Sequence, residues 1–326
     1  MEARSLVASR EVAGLRLDVA LTQLAPDLSR SRIQRLLELG QVLVDGRRAK
    51  PASRLRGGER LDLTLPDPEP LQVVAQDLPL TILFEDRELI VLDKAARMVV
   101  HPARGAPHST VVNALLHHLG AAGRRRGEDE AARRPGASER LGLVHRLDKD
   151  TSGCLVVAKT AAALDALQAS FKAREVQKTY LALCHGRLAA EGALDTPYAR
   201  HPRDRTRFTS RVESARRAST SWRVRESFAA ATLAEVQLHT GRTHQIRVHL
   251  AEHGHPLLAD ATYGGTRREA RLDPSDPVRR AAEAIGRQAL HAWRLAFPHP
   301  RTRQRVAFEA PLPADMQAAL AILRAP

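Results

Sequence analysis

The 326-residue chain is long enough for about two domains with sizeable cores, and 43% hydrophobic residues mark it as globular. Its net charge of +14, with 45 Arg and six Lys among the 51 basic residues, favours a polyanionic partner, nucleic acid before a membrane surface. No run reaches the ~18 apolar residues of a membrane helix, the first residues lack an apolar signal core, and the two cysteines, Cys154 and Cys184, suggest neither a metal pair nor a disulfide framework, so a reduced cytoplasm is expected.

Residues 14–66 read as one compact unit. Arg16 to Leu24 forms a short helix with Leu17, Leu21 and Leu24 on one face. Ser29 caps a second helix, with Leu28 and Ile33 as a hydrophobic staple. Ile33, Leu36 and Leu37 make its apolar stripe, and Arg30, Arg32 and Arg35 lie largely away from it. Gly40 ends the helix, Val42 to Val44 runs into an Asp45-Gly46 turn, and Leu61 to Leu65 alternates like a strand. Residues 67–78 are a linker that opens in a proline-rich, extended stretch, Pro66 to Pro70. The chain up to residue 70 carries a net charge of only +2, so the excess lies beyond it.

Residues 79–326 form the second domain. Leu83 to Asp86, Leu89 to Asp93 and Val99 to Pro102 read as short strands and connections, and Thr110 caps a helix to about His118. Residues 121–140 mix charges without a large apolar side chain and are expected to be a flexible insertion. Leu141 to Val144 and Leu155 to Ala158 read as strands flanking a polar connection. Thr160 caps a helix with Leu164, Leu167 and Phe171 on one face. Strands are expected at Lys178 to Leu183 and Ala231 to Leu238, a helix from about His244, and a last helix from Asp315 to Arg324.

The connection His145-Arg146-Leu147-Asp148-Lys149-Asp150-Thr151-Ser152-Gly153 packs four charged side chains, two hydroxyls and a glycine between apolar runs. Rigid scaffolds present reactive side chains on such connections, although a salt-bridged turn has the same composition. The segment resembles the central motif of the RluA-type pseudouridine synthases, whose Asp is essential, and the resemblance implies that Asp148 is catalytic. Residues 238–249, Leu-His-Thr-Gly-Arg-Thr-His-Gln-Ile-Arg-Val-His, resemble the family's later motif and imply that Arg247 pairs with Asp148. Lys178-Thr179-Tyr180 resembles the K-x-Y strand that places Tyr180 against the uracil, where its hydroxyl could also carry a proton. By the same resemblance Arg146 fills the space of a flipped-out base; a buried ion pair is the alternative. Asp93-Lys94 to His101-Pro102 resembles the first motif, with Asp93, Ala95 and Arg97 in place of the usual Asn, Pro and Gly, which leaves the local backbone shape in doubt. The pattern across residues 14–66 resembles the S4 RNA-binding domain.

The implied fold is α+β: a small S4-like domain, then a catalytic domain with a long mixed, mostly antiparallel sheet flanked by helices. The implied activity is an isomerase that converts uridine to pseudouridine without a cofactor. Tyr198 to Arg225 holds nine Arg and two acids, with Tyr198, Phe208 and Trp222 interspersed, a mixture suited to RNA. Its pattern RHPxDRxRF, with Arg203, Arg205 and Arg207, resembles the large-subunit rRNA branch of the family, and the full set, with the domain order and Arg287-Gln288-Ala289-Leu290-His291-Ala292, implies large-subunit (23S) rRNA at uridines of the helix 69 stem-loop. Arg30, Arg32 and Arg35 are further RNA-binding candidates. A monomer acting on structured RNA, with no membrane partner, is expected. His239, His244, His249, His253 and His255 cluster in sequence, but without HExxH or Cys ligands no metal is expected. A tRNA substrate, a non-catalytic S4 assembly factor and a metal-dependent hydrolase are the rival readings.

Overall fold

The computed structural model describes residues 2–28, 30–65, 73–102, 106–126 and 142–325, which fall into two compact units, residues 1–70 and 71–326. In the first unit the strands are β1 (Glu2–Val7), β2 (Val42–Val44), β3 (Arg47–Arg48) and β4 (Arg60–Leu65), and the helices are α1 (Leu17–Leu24) and α2 (Arg30–Glu38). They form an antiparallel sheet in the order β1-β4-β2-β3. Strand periodicity sends Leu61, Leu63 and Leu65 inward, where they meet Leu17 and Leu21 of α1 and Ile33, Leu36 and Leu37 of α2. Arg16 sits just outside α1 in extended conformation, its guanidinium bonded to both oxygens of buried Asp18. β1 lies ahead of the expected segment: it pairs with β4 from Glu2–Leu65 to Val7–Arg60, so this unit begins before residue 14. The expected cap Ser29, the prolines at 66–70 and residues 127–141 lie outside the described residues.

The second unit is built on one ten-stranded sheet: β5 (Thr81–Glu85), β6 (Leu89–Lys94), β7 (Ser152–Ala158), β8 (Gln177–His185), β9 (Glu191–Arg200), β10 (Phe208–Thr209), β11 (Arg216–Ser227), β12 (Ala231–Leu238), β13 (Leu290–Pro298) and β14 (Arg305–Glu309). The order is β10-β9-β11-β12-β8-β13-β7-β6-β5, with β14 paired to β13. Among the described strands only the β13–β7 pair is parallel. The helices are α3 (Val111–Arg126), α4 (Ala161–Lys172), α5 (Gln245–Glu252), α6 (Gly265–Glu269), α7 (Pro277–Ile285) and α8 (Ala314–Arg324).

Both faces of the sheet are covered, which explains the unbroken apolar runs of its central strands. Ile90, Leu92, Tyr180 and Ala182 turn to the face packed by Val111 and Leu115 of α3 and Ile246 and Leu250 of α5. Their neighbours turn the other way: Leu89 and Val91 meet Ala163 and Leu167 of α4, and Leu181 and Leu183 meet α7 and α8.

The structure differs from the expected elements at three places. Leu143 and Val144 form no strand. Leu143 makes a single bridge to Val157, and the next free N–H of β7, on Val156, goes to the ring Nε2 of His145 at 3.0 Å instead of a strand carbonyl. Helix α3 continues past His118 to Arg126 and takes in the first residues of the expected insertion. The basic segment, to which the sequence assigned no element, is strand for much of its length, because β9 and β11 pair from Arg216–Tyr198 to Arg223–Glu191.

Candidate active site

Residues 145–153 lead into the start of β7, the third strand from the β5 edge, and side chains from β6, α4, α5 and the connection between α7 and β13 hold them there. Leu147 is buried in the central core, and Thr151 donates its N–H to the Asp148 carbonyl at 3.1 Å, closing a tight turn. Gly153 has φ +110, and a Cβ there would stand 2.2 Å from the carbonyl oxygen of Ala292 on β13. No other residue allows that backbone conformation and that approach together.

Two buried cations hold the turn's carbonyls. Lys94 of β6 donates to the carbonyls of Ala95, Met98 and Lys149 at 2.7, 2.9 and 3.1 Å. Burial pushes its pKa down to about 7, but three carbonyl acceptors use all three ammonium protons, so the charged form fits the geometry. Arg287 donates to the carbonyl of Asp150 at 2.8 Å and to both oxygens of Asp315 at 2.6 and 2.9 Å. Arg97 holds the left-handed backbone, φ +67, that the family's usual glycine would take freely, so the substitution costs strain but keeps the turn. His145 accepts a backbone N–H and stacks on Phe171 with ring centroids 5.2 Å apart. Burial holds its pKa down to about 3, so its role here is that of a neutral brace.

Asp148 itself faces a cleft of about 1270 Å³ lined by Arg146, Tyr180, His244, Arg247 and Leu290 among others. Arg247 Nη1 donates to Asp148 Oδ2 at 3.2 Å, and His244 Nε2 lies 3.8 Å from the same oxygen. The other oxygen, Oδ1, accepts no hydrogen bond from the described residues, which leaves it open to a ligand. Arg247 is fixed in turn by Asp260, whose two oxygens accept from Nε and Nη2 at 2.7 and 2.9 Å. Asp260 is fully buried, and its carboxylate also accepts the N–H groups of Thr262 and Tyr263. Burial opposes the Arg247 charge, but bonds to Asp260 and Asp148 outweigh it and raise its pKa.

Gln245 pins the start of α5, which carries Arg247: its side chain bonds Ser219 O, the Thr220 and Thr240 hydroxyls and Arg242 N–H. Tyr180 on β8 lines the cleft with most of its ring in the core, and burial, then the Asp148 charge, raises its pKa and keeps it a phenol. Arg146 is exposed in the cleft and makes no ion pair with the described residues, so the buried-pair alternative does not hold. The lining holds seven Lys and Arg side chains and one carboxylate, Asp148, a balance suited to a phosphodiester chain.

The structure thus brings Asp148, Arg146, Tyr180 and Arg247 to one cleft. Arg203 and Arg205 are exposed on the connection between β9 and β10, and Arg207 stacks over the ring of Tyr263 at 5.2 Å. Arg30, Arg32 and Arg35 belong to the other unit; Arg30 lies 3.8 Å from Asp18. The aromatic residues of the basic segment differ from expectation. Tyr198 and Trp222 are buried, with their polar atoms donating to the carbonyls of Thr243 and Ala189, and Phe208 stacks on Tyr198. They consolidate the sheet rather than offer faces to bases. Among the described residues no three His, Cys, Asp or Glu side chains converge as a metal site. His239, His249 and His255 bond to hydroxyls or a carbonyl. The sequence reading missed Asp260; its one local signal was a lone acid before a Thr-Tyr-Gly-Gly turn.

Comparison with known proteins identifies the family. Residues 88–252 match the family described as RNA pseudouridylate synthase, and residues 15–61 match the S4 domain. The chain is 45% identical to the ribosomal large subunit pseudouridine synthase D of Nitrosomonas europaea over 96% of its own length and 86% of that protein's. It is 41% identical to the protein of the same name from Xanthomonas campestris, over 98% of this chain and 92% of the other. The solved structure of human RNA pseudouridylate synthase domain containing 4 aligns with a TM-score of 0.55 and 26% identity, covering 75% of this chain and 93% of that one. With the S4 domain ahead of a mixed sheet and a carboxylate–arginine pair at the cleft, the chain belongs to the RluA family of RNA pseudouridine synthases and is an isomerase.

Proposed function

We propose that this enzyme converts uridines of large-subunit (23S) rRNA to pseudouridine, acting on the helix 69 stem-loop, with Asp148 as the reacting carboxylate. The observation that carries the reading is the pair of Asp148 oxygens: Oδ2 is held by Arg247, and Oδ1 is open to the cleft. The names of the relatives support the rRNA target.

In this reading Arg146 fills the stack vacated by the flipped uridine, since a planar guanidinium can stack and hydrogen-bond at once. The ionised Asp148 acts at the sugar and base while the bond from C1′ to N1 breaks and the bond from C1′ to C5 forms. The freed nitrogen gains a proton and C5 loses one, so the rearrangement is redox-neutral and needs no group donor. Tyr180 gives the turning uracil a wall and keeps water from it. Arg203, Arg205 and Arg207, with Arg30, Arg32 and Arg35 of the S4 domain, engage phosphates and position the RNA. The enzyme acts as a monomer in this reading, and the ribosomal names of the relatives support a cytoplasmic location.

The test is to map pseudouridines in rRNA and tRNA from cells lacking the protein, complemented with wild type or Asp148→Asn. Loss confined to helix 69, restored by wild type alone, is expected. Loss at tRNA positions instead would assign the tRNA substrate.

A further inference from the structure

We infer that His244 is a substrate-contacting residue, donating its Nε2–H to an acceptor oxygen of the flipped nucleotide beside Asp148. The inference rests on Asp148 being the reacting carboxylate.

The tautomer follows from a chain of hydrogen bonds. Tyr263 Oη accepts the backbone N–H of Phe208 at 3.0 Å and lies 2.8 Å from His244 Nδ1. Burial raises the pKa of Tyr263 and lowers that of His244, so a neutral phenol meets a neutral imidazole. In this inference the phenol oxygen, already holding the Phe208 N–H, donates its proton to Nδ1, which leaves the imidazole's own proton on Nε2. That nitrogen is 3.8 Å from Asp148 Oδ2, too far for a hydrogen bond, and His244 lines the cleft. Asp148 Oδ2 already accepts from Arg247, so the Nε2–H beside it is available to an acceptor bound in the cleft. The ring is fixed for this purpose. His244 takes a left-handed backbone, φ 59, at the start of α5, and its ring meets those of Phe208 and Tyr263 edge-on.

Tyr263 is the matching positioning residue. Its hydroxyl orients His244, and its ring carries the guanidinium of Arg247 at 5.1 Å and that of Arg207 at 5.2 Å. Phe208, which supplies the N–H to Tyr263, follows the basic connection directly. RNA bound to that connection thus bears on both partners of Asp148 through one side chain.

The test compares full-length wild type, Asp148→Asn, His244→Asn, His244→Gln and Tyr263→Phe for stem-loop RNA affinity and single-turnover rate at saturating RNA. Asn tolerates a left-handed backbone, so the first His244 variant keeps the helix start. His244→Asn should lower the rate by ~10-fold or more, the worth of about one hydrogen bond, with Kd within about threefold. His244→Gln, which offers an N–H at longer reach, should recover part of it, and Tyr263→Phe should lose a smaller factor. Nitrogen NMR of the imidazole should show the Nε2–H tautomer in wild type and a mixture in Tyr263→Phe. A wild-type rate in His244→Asn with Asp148→Asn inactive, or an Nδ1–H tautomer, overturns this inference alone. Turnover by Asp148→Asn overturns the reading beneath it. If His244→Asn does not fold, the Tyr263→Phe rate and the tautomer decide.

Discussion

Around residues 145–153 the cations Lys94, Arg247 and Arg287 reach in from other elements, almost fully buried, each bonded to an acceptor whose position matters. Along residues 198–225 the cations Arg203, Arg205, Arg216, Arg217, Arg223 and Arg225 point outward, and two of their ion pairs are exposed: Arg217–Asp195 at 3.1 Å and Arg223–Glu191 at 3.9 Å. Buried charge of the first kind is costly unless satisfied and so fixes geometry. Exposed charge of the second kind contributes little to stability and stays available to phosphate. In the proposed function the two regions divide the work: one holds Asp148 in place, and the other is the surface proposed to hold RNA near it.

The sharpest way to break this comparison is at Asp260. Asp260→Ala leaves Arg247 buried without its bidentate partner, which should cost about 3–5 kcal/mol of stability. The folded fraction should also turn over at least ~100-fold more slowly, since Asp148 loses its fixed cation. Denaturant unfolding and single-turnover assays measure the two effects separately. Trp222→Ala probes the other region from inside: a buried ring lost from β11 should cost about 3–5 kcal/mol. RNA affinity of the folded protein should change less than about twofold, and a large affinity loss would restore Trp222 as a base contact.

Smaller effects follow for exposed charge. Arg203→Ala with Arg205→Ala should leave unfolding within about 0.5 kcal/mol. Affinity should fall severalfold, with the slope against log salt shallower by about 2. Charge reversal of Arg30, Arg32 and Arg35 should lower kcat/KM on structured RNA, most at high salt, and change the saturated single-turnover rate little. Exhaustive chelation, with magnesium restored for RNA folding, should change turnover least, because the rearrangement calls for no Lewis acid.

How much of this the sequence revealed depended on whether the signal was contiguous. Asp148, Arg146 and Gly153 stand in one stretch whose charge and glycine pattern already marks a tight polar turn. Asp260 had only a weak local signal, because the fold alone brings it to Arg247. Strand β12 was legible from its apolar run, whereas β9 and β11 carry charges on an exposed face and gave no strand signal of their own. Tyr198 and Trp222 were misplaced for the same reason: the charges between them face solvent while strand alternation turns the rings inward. Leu143 and Val144 looked like strand but lost their pairing to a histidine ring, a substitution that no periodicity encodes.

The central claim is that Asp148 reacts while the rest of the cleft binds and orients. The direct measurement is single turnover by purified Asp148→Asn on a helix 69 stem-loop RNA at saturating enzyme, with RNA affinity determined alongside. The account predicts a folded protein that binds RNA within about threefold of wild type and forms no pseudouridine. Turnover near the wild-type rate would contradict it.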